Sequence, residues 1–399
     1  MADAQPARRR PLIVALLIAC ACLFLTSCQP SRPTESKSPQ REAAAPSDLD
    51  RKSTVPNTAK GDGITDDTAA LQSWLNAGGG RLSNGTFRIT KGLVLNGDNR
   101  TLQTDNATIV ADASDITVLT VAGKNAKVGV HIDGRNHAAY GLKVTGAGAT
   151  IEDGIYENFW SKTQSARGID ATTSYGVVIR DNIIRNVVSV GDGIGGNNSG
   201  ASRGIALNST ADAKASSFIM NNRLENITGE EGDAIHVLFN DGKSSPFNAG
   251  RVKISDNEVR NVSRRFIKVQ ASSVVVEGNK LHTDADTEPT NPSAAIDIIR
   301  SENVKVLDNQ LDPDLTGGGI AVNGISSAPL RGIEVRGNVL RESNEKSAVG
   351  IYLNWTVSPV VRDNTVIGVS AGIEVRASTG AEVEGNAHEQ SAEAAPGSK

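Results

Sequence analysis

Ionisable residues recur at two fixed positions of a short strand pattern in the middle of this 399-residue chain. The imidazole of His236 titrates near neutral pH and can serve as an acid or a base. Lys268 is a second acid–base candidate, and Asp233 or Asp297 would orient the base or act as the acid. The full set comprises Arg203, Asp233, His236, Arg265, Lys268 and Asp297. These residue types at this spacing predict a site for proton-transfer chemistry.

The cations of this set stand out because the whole chain is mildly acidic, with a formal net charge of −4. Arg203 and Arg265, with Lys268 beside them, would neutralise a carboxylate such as that of a uronate. β-Elimination needs a proton acceptor near C5 of the uronate and a cation on its carboxylate. Hydrolysis of a glycosidic bond instead needs two carboxylates that flank the bond. The basic bias favours elimination, and hydrolysis stays open.

The same residues have a second interpretation, in which they carry out no chemistry. On this interpretation they lie on a solvated sheet face, where charges of both signs pair between neighbouring strands. Such exposed pairs contribute little to stability. The longest insertions of the chain nevertheless fall beside this set, and functional loops gather on scaffold faces. A substrate groove and a solvated face are therefore both carried forward as hypotheses.

An internal repeat determines which elements position these residues. Each unit has a short alternating strand, a turn at Asn or Gly and a second strand, as in residues 178–184, 252–259, 304–311 and 360–366. Units that cannot bury their own apolar face and repeat with insertions predict a solenoid. The turn position is occupied by Gly134, Gly154, Asn182, Asn222, Asn257, Asn279, Asn309, Asn338, Asn364 and Asn386. The asparagines are expected to satisfy backbone groups through their side-chain amides, which is a structural role.

A third strand of each unit has the form Gly-Ile-x-Val, as in residues 141–144, 204–207, 319–322 and 350–353. Period-two alternation points the Ile and Val side chains inward and the x side chains outward. Stacked units then place the x residues in one column. Besides the acid–base candidates, this column predicts Lys143, Asp170 and Tyr352 as substrate-binding residues. In order it contains Lys143, Asp170, Ala206, His236, Lys268, Asp297, Ala321, Tyr352 and Glu374.

The start of the repeat has a signature of its own. Residues 61–72 begin with turn residues and an Asp/Thr N-cap, and continue as an amphipathic helix with Leu71, Trp74 and Leu75 on one face. This helix would cover the open strand edge of the first coil. The segment, followed by residues 85–89, resembles the start of the pectate-lyase superfamily. The resemblance implies an all-β fold, a right-handed parallel β-helix with an N-terminal capping α-helix, over residues 58–386.

That superfamily includes lyases, hydrolases, epimerases, depolymerases and proteins without known activity, so the resemblance specifies the fold better than the reaction. We expect an extracytoplasmic enzyme that cleaves a polysaccharide, preferably an acidic one. The alternative is a non-catalytic glycan-binding protein that assists polysaccharide export, and a structural envelope protein is the third hypothesis. No cofactor is predicted. Asp284, Asp286 and Glu288 alternate in one loop as calcium candidates, although a solvated loop is favoured there.

The first 28 residues have the features of a bacterial lipoprotein signal. Three arginines precede an apolar stretch too short for a comfortable membrane span, and the stretch ends in Leu-Thr-Ser-Cys at Cys28. Residues 1–27 are predicted to be the signal, residues 28–57 a disordered tether after the lipidated Cys28, and residues 387–399 a disordered tail. Loss of residues 1–27 takes the net charge from −4 to −6, which argues against nucleic-acid binding. The expected location is the cell envelope, with a membrane contact through lipid.

Overall fold

The computed structural model describes residues 58–191, 200–208, 215–238, 249–284, 293–313, 318–342 and 349–389. The predicted signal and tether, residues 1–57, lie outside this description. One helix, α1 (Thr68–Asn76), follows the first strand, β1 (Asp62–Asp66), within the described residues. It is too short to cross a membrane, and none of the described helices is long and apolar enough to do so.

The strands after α1 are short, and most have three to seven residues. Those up to residue 229 are β2 (Gly80–Ile89), β3 (Leu93–Leu95), β4 (Thr101–Ala111), β5 (Thr117–Val121), β6 (Lys127–Gly129), β7 (His131–Asp133), β8 (Tyr140–Val144), β9 (Thr150–Glu152), β10 (Ile155–Ser161), β11 (Ala166–Ala171), β12 (Val178–Arg180), β13 (Ile183–Ser189), β14 (Ala201–Asn208), β15 (Ser216–Met220) and β16 (Arg223–Gly229).

The remaining strands carry the same pattern to the end of the described chain. They are β17 (Glu231–Leu238), β18 (Ala249–Ser255), β19 (Glu258–Val262), β20 (Arg265–Val269), β21 (Ser272–Glu277), β22 (Lys280–His282), β23 (Ile296–Ile299), β24 (Lys305–Leu307), β25 (Gln310–Asp312), β26 (Ile320–Asn323), β27 (Leu330–Arg331), β28 (Glu334–Arg336), β29 (Val339–Arg341), β30 (Val349–Asn354), β31 (Thr356–Val357), β32 (Val360–Arg362), β33 (Thr365–Ile367), β34 (Ala371–Arg376), β35 (Glu382–Glu384) and β36 (Ala387–Glu389).

Three strands make one coil, and each strand pairs in parallel with the strand one coil away. In one coil these are β12, β13 and β14, and in the next they are β15, β16 and β17. The strands stack into three faces. The first face runs from β6 to β35 and the second from β4 to β36. The third face is the 11-stranded sheet from β3 to β34. The predicted all-β parallel β-helix with a helix at its start is confirmed.

Branched apolar side chains fill the interior in ladders. On the third face, Ile205, Ile235, Ile267 and Ile296 are paired in register from coil to coil, and each is fully buried. Burial of each such side chain contributes about 2 kcal/mol. Steric crowding explains why glycine occupies the first position of the Gly-Ile-x-Val pattern. A Cβ at Gly204 would lie 2.7 Å from the carbonyl oxygen of Ala234 on the next coil.

The turn between the first and second faces contains the predicted asparagine ladder. Asn309 Oδ1 accepts from the backbone nitrogen and from Nδ2 of Asn279, both at 2.9 Å. Asn309 Nδ2 donates to Val276 O at 3.0 Å and to Asn338 Oδ1 at 2.9 Å. Each amide therefore satisfies backbone groups on neighbouring coils, as the sequence predicts. The ladder runs through Asn182, Asn222, Asn257, Asn279, Asn309, Asn338, Asn364 and Asn386.

The start of the fold differs in detail from the sequence prediction. Residues predicted as turn form β1, which pairs in parallel with β2. The N-cap of α1 is Asp67, as predicted, but its carboxylate makes no capping bond. It accepts instead from the backbone nitrogens of Lys60 and Gly61 at 2.7 and 3.0 Å, which ties the chain before β1 to the helix. The apolar face is as predicted, with Leu71 and Leu75 buried.

Candidate active site on the third face

The outward column predicted from the sequence is present in register. Lys143 pairs with Asp170, Asp170 with Ala206, and Ala206 with His236. The row continues from His236 to Lys268 and Asp297, and then to Ala321, Tyr352 and Glu374. A parallel row three residues earlier pairs Arg167, Arg203, Asp233 and Arg265. Strands β14, β17, β20 and β23 thus bring the six candidates of the sequence together.

These six residues, which we call the central cluster, are not solvated. Asp233 is completely buried, and Arg203, His236, Arg265, Lys268 and Asp297 are each less than 9% exposed. The expectation of a solvent-exposed face is therefore wrong for this part of the column. The charged groups are instead paired with one another across neighbouring coils.

His236 is held by two hydrogen bonds on its ring. Arg203 Nε donates to His236 Nδ1 at 2.9 Å, and His236 Nε2 faces Gln270 Oε1 at 2.7 Å. Because a guanidinium has only hydrogens to donate, Nδ1 is the acceptor and Nε2 carries the hydrogen. Burial lowers the pKa of His236 well below its ordinary value, and the charges of Arg203 and Lys268 lower it further. The ring is therefore neutral at neutral pH.

Asp233 lies at the centre of the cluster. Its Oδ2 lies 3.4 Å from Arg203 Nη1 and 3.4 Å from Lys268 Nζ. Its Oδ1 lies 3.4 Å from Arg265 Nη1. A single carboxylate thus faces three cations, and Oδ2 is buried without an aligned hydrogen bond to any of them. Charge, more than hydrogen-bond geometry, holds this centre together.

Arg265 links the centre to the next coil. Its Nε donates to Asp297 Oδ2 at 2.8 Å, and Asn323 Nδ2 approaches Asp297 Oδ1 at 3.4 Å. Removal of either partner of such a buried pair would leave an uncompensated charge. The pairing fixes the guanidinium beside Asp233.

Glu231 is a member of this network that sequence reasoning missed. Its Oε2 accepts from Arg203 Nη2 at 2.9 Å, its Oε1 accepts from Arg264 Nη1 at 2.8 Å, and Lys268 Nζ lies 4.0 Å from Oε2. The Glu231 side chain is 37% exposed, whereas those of Arg203 and Lys268 are below 10%. Glu231 therefore forms the solvent-facing edge of the cluster.

The pKa values reflect this crowding. Burial of Glu231 opposes its ionisation, but the charges of Lys268 and Arg203 outweigh that effect and lower its pKa. Burial lowers the pKa of Lys268, and the carboxylates of Asp233 and Glu231 compensate only in part. An amine with a lowered pKa is a better proton acceptor near neutral pH than an exposed lysine.

Glu231 and Gln270 could have been predicted from the periodicity of their strands. Glu231 stands two positions before Asp233, and Gln270 stands two positions after Lys268, so alternation puts each pair on the same side of its strand. Extending the row of Asp233 by two residues toward the strand start, and the row of Lys268 by two residues toward the strand end, would have found Glu231 and Gln270. Arg264 carried no such signal because it is adjacent to Arg265 and reaches Glu231 only through its long side chain.

The other predicted substrate-binding residues lie outside the central cluster. Asp170 is occupied by Arg167 Nη1 at 3.0 Å and by Thr172 Oγ1 at 2.7 Å. Lys143 is half-buried one coil before Asp170. Tyr352 lies three coils beyond Lys268, roughly 14 Å along the stack, with the guanidinium of Arg376 5.7 Å from its ring centre.

Within the described ranges, no group of three or more His, Cys, Asp or Glu side chains is placed to hold a metal ion. Two of the calcium candidates, Asp286 and Glu288, lie outside those ranges. The third, Asp284, is bound by Asn261 Nδ2 at 2.8 Å and lies 3.1 Å from His282 Nε2.

Comparison with known proteins agrees with the coil geometry. Residues 242–395 match the family model described as "Right handed beta helix region". The fold is a right-handed parallel β-helix. No curated protein matches this β-helix chain in sequence.

Solved structures with the same fold are distant in sequence. The Streptococcus pneumoniae surface protein and adhesin PfbA superposes with a TM-score of 0.55 at 16% identity, over 83% of this chain and 96% of that one. The A-module of the Azotobacter vinelandii mannuronan C-5 epimerase AlgE6 gives 0.50 at 16% identity, over 86% and 98%. The Dettilon tailspike protein gives 0.51 at 17% identity, over 84% and 66%. At such identities the likeness establishes the β-helix alone.

Proposed function

We propose that this β-helix protein binds an acidic polysaccharide along its third face and cleaves it at the central cluster by β-elimination. The observation that carries the proposal is the position of Glu231. Its half-exposed carboxylate is held by Arg203 and Arg264, with Lys268 Nζ 4.0 Å away. A uronate carboxylate that displaced the Glu231 side chain would meet the same cations.

Lys268 is the better-placed proton acceptor of the two acid–base candidates. Both ring nitrogens of His236 are engaged, by Arg203 and by Gln270, whereas Lys268 Nζ faces the edge formed by Glu231. With its lowered pKa, Lys268 would take the proton from C5 of the uronate. The C4–O bond to the next sugar would then break, and the departing oxygen would take a proton from solvent. Arg203 would stabilise the charge that develops on the carboxylate. Asp233 would position Lys268, and Asp297 would position Arg265.

Buried charge supports a functional role for the cluster. Replacing paired charges in a protein interior with apolar side chains often leaves stability unchanged or raises it. Three cations around the fully buried Asp233 therefore cost more free energy than apolar side chains would at the same positions of the sheet. Perturbed ionisable groups concentrate at functional sites. The named activity of the mannuronan C-5 epimerase, which shares the fold, makes a polyuronate a reasonable substrate class.

Binding without cleavage is the second candidate function. It is favoured by the engagement of both nitrogens of His236 and by the pairing of Arg203, Arg265 and Lys268 with carboxylates. Such a protein would hold a glycan and leave it intact. PfbA, which shares the fold, is a surface protein and adhesin.

The test is incubation of the protein with a panel of neutral and acidic polysaccharides. Cleavage is followed by reducing ends and by the ultraviolet absorbance of unsaturated uronates, and binding by affinity electrophoresis. Wild-type protein is expected to cleave a polyuronate. The Glu231→Gln variant, which lacks the competing carboxylate, is expected to bind it about three- to tenfold more tightly.

A neutral polysaccharide serves as the control, since its affinity should be the same for the wild-type and Glu231→Gln proteins. Binding without new ends or unsaturated product would favour the second candidate. If neither protein binds or cleaves any polysaccharide of the panel, both candidates are wrong.

We propose further that the protein is held at the cell envelope by lipid on Cys28. The support is the basic segment, the short apolar stretch and Leu25 to Cys28 at its end. Replacing Cys28 with Ala should release the protein from the membrane fraction, because two or more acyl chains are what make such anchoring stable. Fractionation with and without detergent measures this. A Cys28→Ala protein that still needs detergent for extraction would contradict the anchor.

A further inference from the structure

A second cluster of polar side chains lies on the second face, on coils that precede the central cluster. Thr108 of β4, His131 of β7 and Glu157 of β10 belong to three successive coils. Thr108 Oγ1 lies 3.0 Å from His131 Nδ1, and His131 Nε2 lies 2.7 Å from Glu157 Oε1. A hydroxyl, an imidazole and a carboxylate are therefore joined in one line of hydrogen bonds.

The carboxylate end of this line is fixed. Arg185 Nε donates to Glu157 Oε2 at 2.7 Å, and Arg185 Nη2 lies 2.6 Å from the same oxygen. Burial of Glu157 opposes ionisation, but the hydrogen bonds from His131 and Arg185 outweigh it and hold its pKa below the ordinary value. An ionised carboxylate only accepts, so His131 Nε2 carries the hydrogen. In the neutral form of His131, Nδ1 is then the acceptor, and the Thr108 hydroxyl donates to it.

The hydroxyl end opens into a cleft. Thr108 and His131 line a cavity of about 660 Å³ together with Asn106 and Asp153, and Glu157 is not part of its wall. This volume lies within the ~300–1,000 Å³ typical of small-molecule sites. The β-branched Thr108 side chain is stiff at χ1, which keeps its oxygen in place. Asn106 Nδ2 donates to Asn84 Oδ1 at 3.1 Å, and an amide nitrogen has a second hydrogen for a ligand.

Another histidine of the second face, His282, has a different environment from His131. His282 of β22 faces carboxylates through both ring nitrogens, Asp284 at 3.1 Å and Asp312 at 3.3 Å. A histidine in that environment is tied between two acceptors and has no hydroxyl to activate. At His131 one acceptor is replaced by a hydroxyl that faces a cleft. This is the order of groups that activates an alcohol as a nucleophile.

We propose that Thr108, His131 and Glu157 form a second catalytic site, which hydrolyses small neutral O-acyl esters. As Thr108 Oγ bonds to the acyl carbon, its proton passes to His131 Nδ1, and the same proton then goes to the alcohol as the ester bond breaks. Water, deprotonated by His131, next attacks the acyl-threonine and releases the carboxylic acid. Thr108 regains its proton from His131. Thr108 and His131 are catalytic residues, and Glu157 is a positioning residue.

The substrate class follows from the cleft. A hydroxyl nucleophile beside a histidine base carries out acyl transfer. Asp153 in the wall and Glu157 behind His131 would repel an anionic substrate, which favours a neutral ester. The polar lining suits an acyl group carried on a polyol such as a sugar. This site does not depend on the function proposed for the central cluster.

The experiment measures hydrolysis of p-nitrophenyl acetate by the full chain. Thr108→Val, which keeps the shape and removes the hydroxyl, and His131→Ala are each expected to lower the rate at least about a hundredfold. Thr108→Ser should retain most of the rate. His282→Ala and Thr365→Val, a histidine and a threonine of the same face, should leave the rate unchanged. Thermal unfolding of every variant reports whether the fold is intact.

Two further measurements separate catalysis from packing. An acid-quenched reaction should give an acetylated peptide that contains Thr108, and this adduct should be absent in Thr108→Val. Glu157→Gln should lower kcat about a hundredfold with KM unchanged, because the carboxylate stabilises the imidazolium and does not touch the substrate. The proposal is overturned if wild type hydrolyses the ester no faster than a blank. It is equally overturned if Thr108→Val keeps the wild-type rate.

Discussion

Replacing Lys268 with methionine is expected to lower the rate of polyuronate cleavage by at least about a hundredfold. Methionine keeps an unbranched apolar side chain and removes the amine that would take the proton from C5. The fold should persist, because Asp233 keeps Arg203 and Arg265, each 3.4 Å away. The measurement is the initial rate of unsaturated product, with the far-ultraviolet circular dichroism spectrum as the check on structure.

The rate should also depend on pH in a defined direction. Lys268 acts as a base only in its neutral form, and burial lowers its pKa below the ordinary value of a lysine. The wild-type rate is therefore expected to rise with pH and to level off below that ordinary value. Lys268→Met should lose this rise.

A matched control is Lys305 on the first face. Its side chain is 54% exposed and pairs with Glu334 at 2.7 Å, far from the third face. Lys305→Met should cleave at the wild-type rate. If Lys268→Met and His236→Ala both cleave normally, the central cluster is not the site of cleavage.

Replacing Asn309 with alanine is expected to lower the free energy of unfolding by about 4 kcal/mol. Its fully buried side chain makes four hydrogen bonds, two accepted from Asn279 and one donated to each of Val276 and Asn338. Alanine replaces none of them. The partners on both neighbouring coils lose these four hydrogen bonds in a site that water does not reach, which is the costly form of a lost bond.

Urea denaturation followed by circular dichroism measures the difference. Asn386, at the end of the same ladder, is the control. Its Oδ1 accepts from the backbone nitrogen and from Nδ2 of Asn364, and its Nδ2 donates to Val361 O and Glu384 O. Asn386 is half-exposed, so water can replace these bonds, and Asn386→Ala should cost about 1 kcal/mol. Equal losses at the two positions would show that burial does not govern the ladder.

The stack of neighbours on the third face could be predicted from the sequence. In a strand the side chains alternate with period two, and in a parallel solenoid each coil repeats the last in register. Finding Ile235 and Ile267 is therefore enough to place His236 beside Lys268, and the structure pairs these residues. The asparagine turns followed from the same repeat, because a polar residue that recurs at a buried turn must have its hydrogen bonds satisfied.

The tertiary structure decided what surrounds each of these residues. Alternation gives the side of a strand, but it does not say whether that side is covered or where a long side chain ends. Only the folded coils show that Asp233 is buried among three cations and that Glu231 closes the edge of the cluster. Burial and pairing in turn set the protonation of His236 and Lys268, which no local pattern encodes.

The hydrogen-bonded line from Thr108 to Glu157 could not be predicted from the sequence either. Its members are separated by 23 and 26 residues, and they do not stand at one position of the repeat. His131 pairs in register with Ile155, yet its ring reaches Glu157 two residues farther along the strand. The sequence determined the coils and their register through periodic burial. Packing in three dimensions decided the contacts of side chains that lean along a strand. The rotamer of such a side chain depends on neighbours that the repeat does not specify.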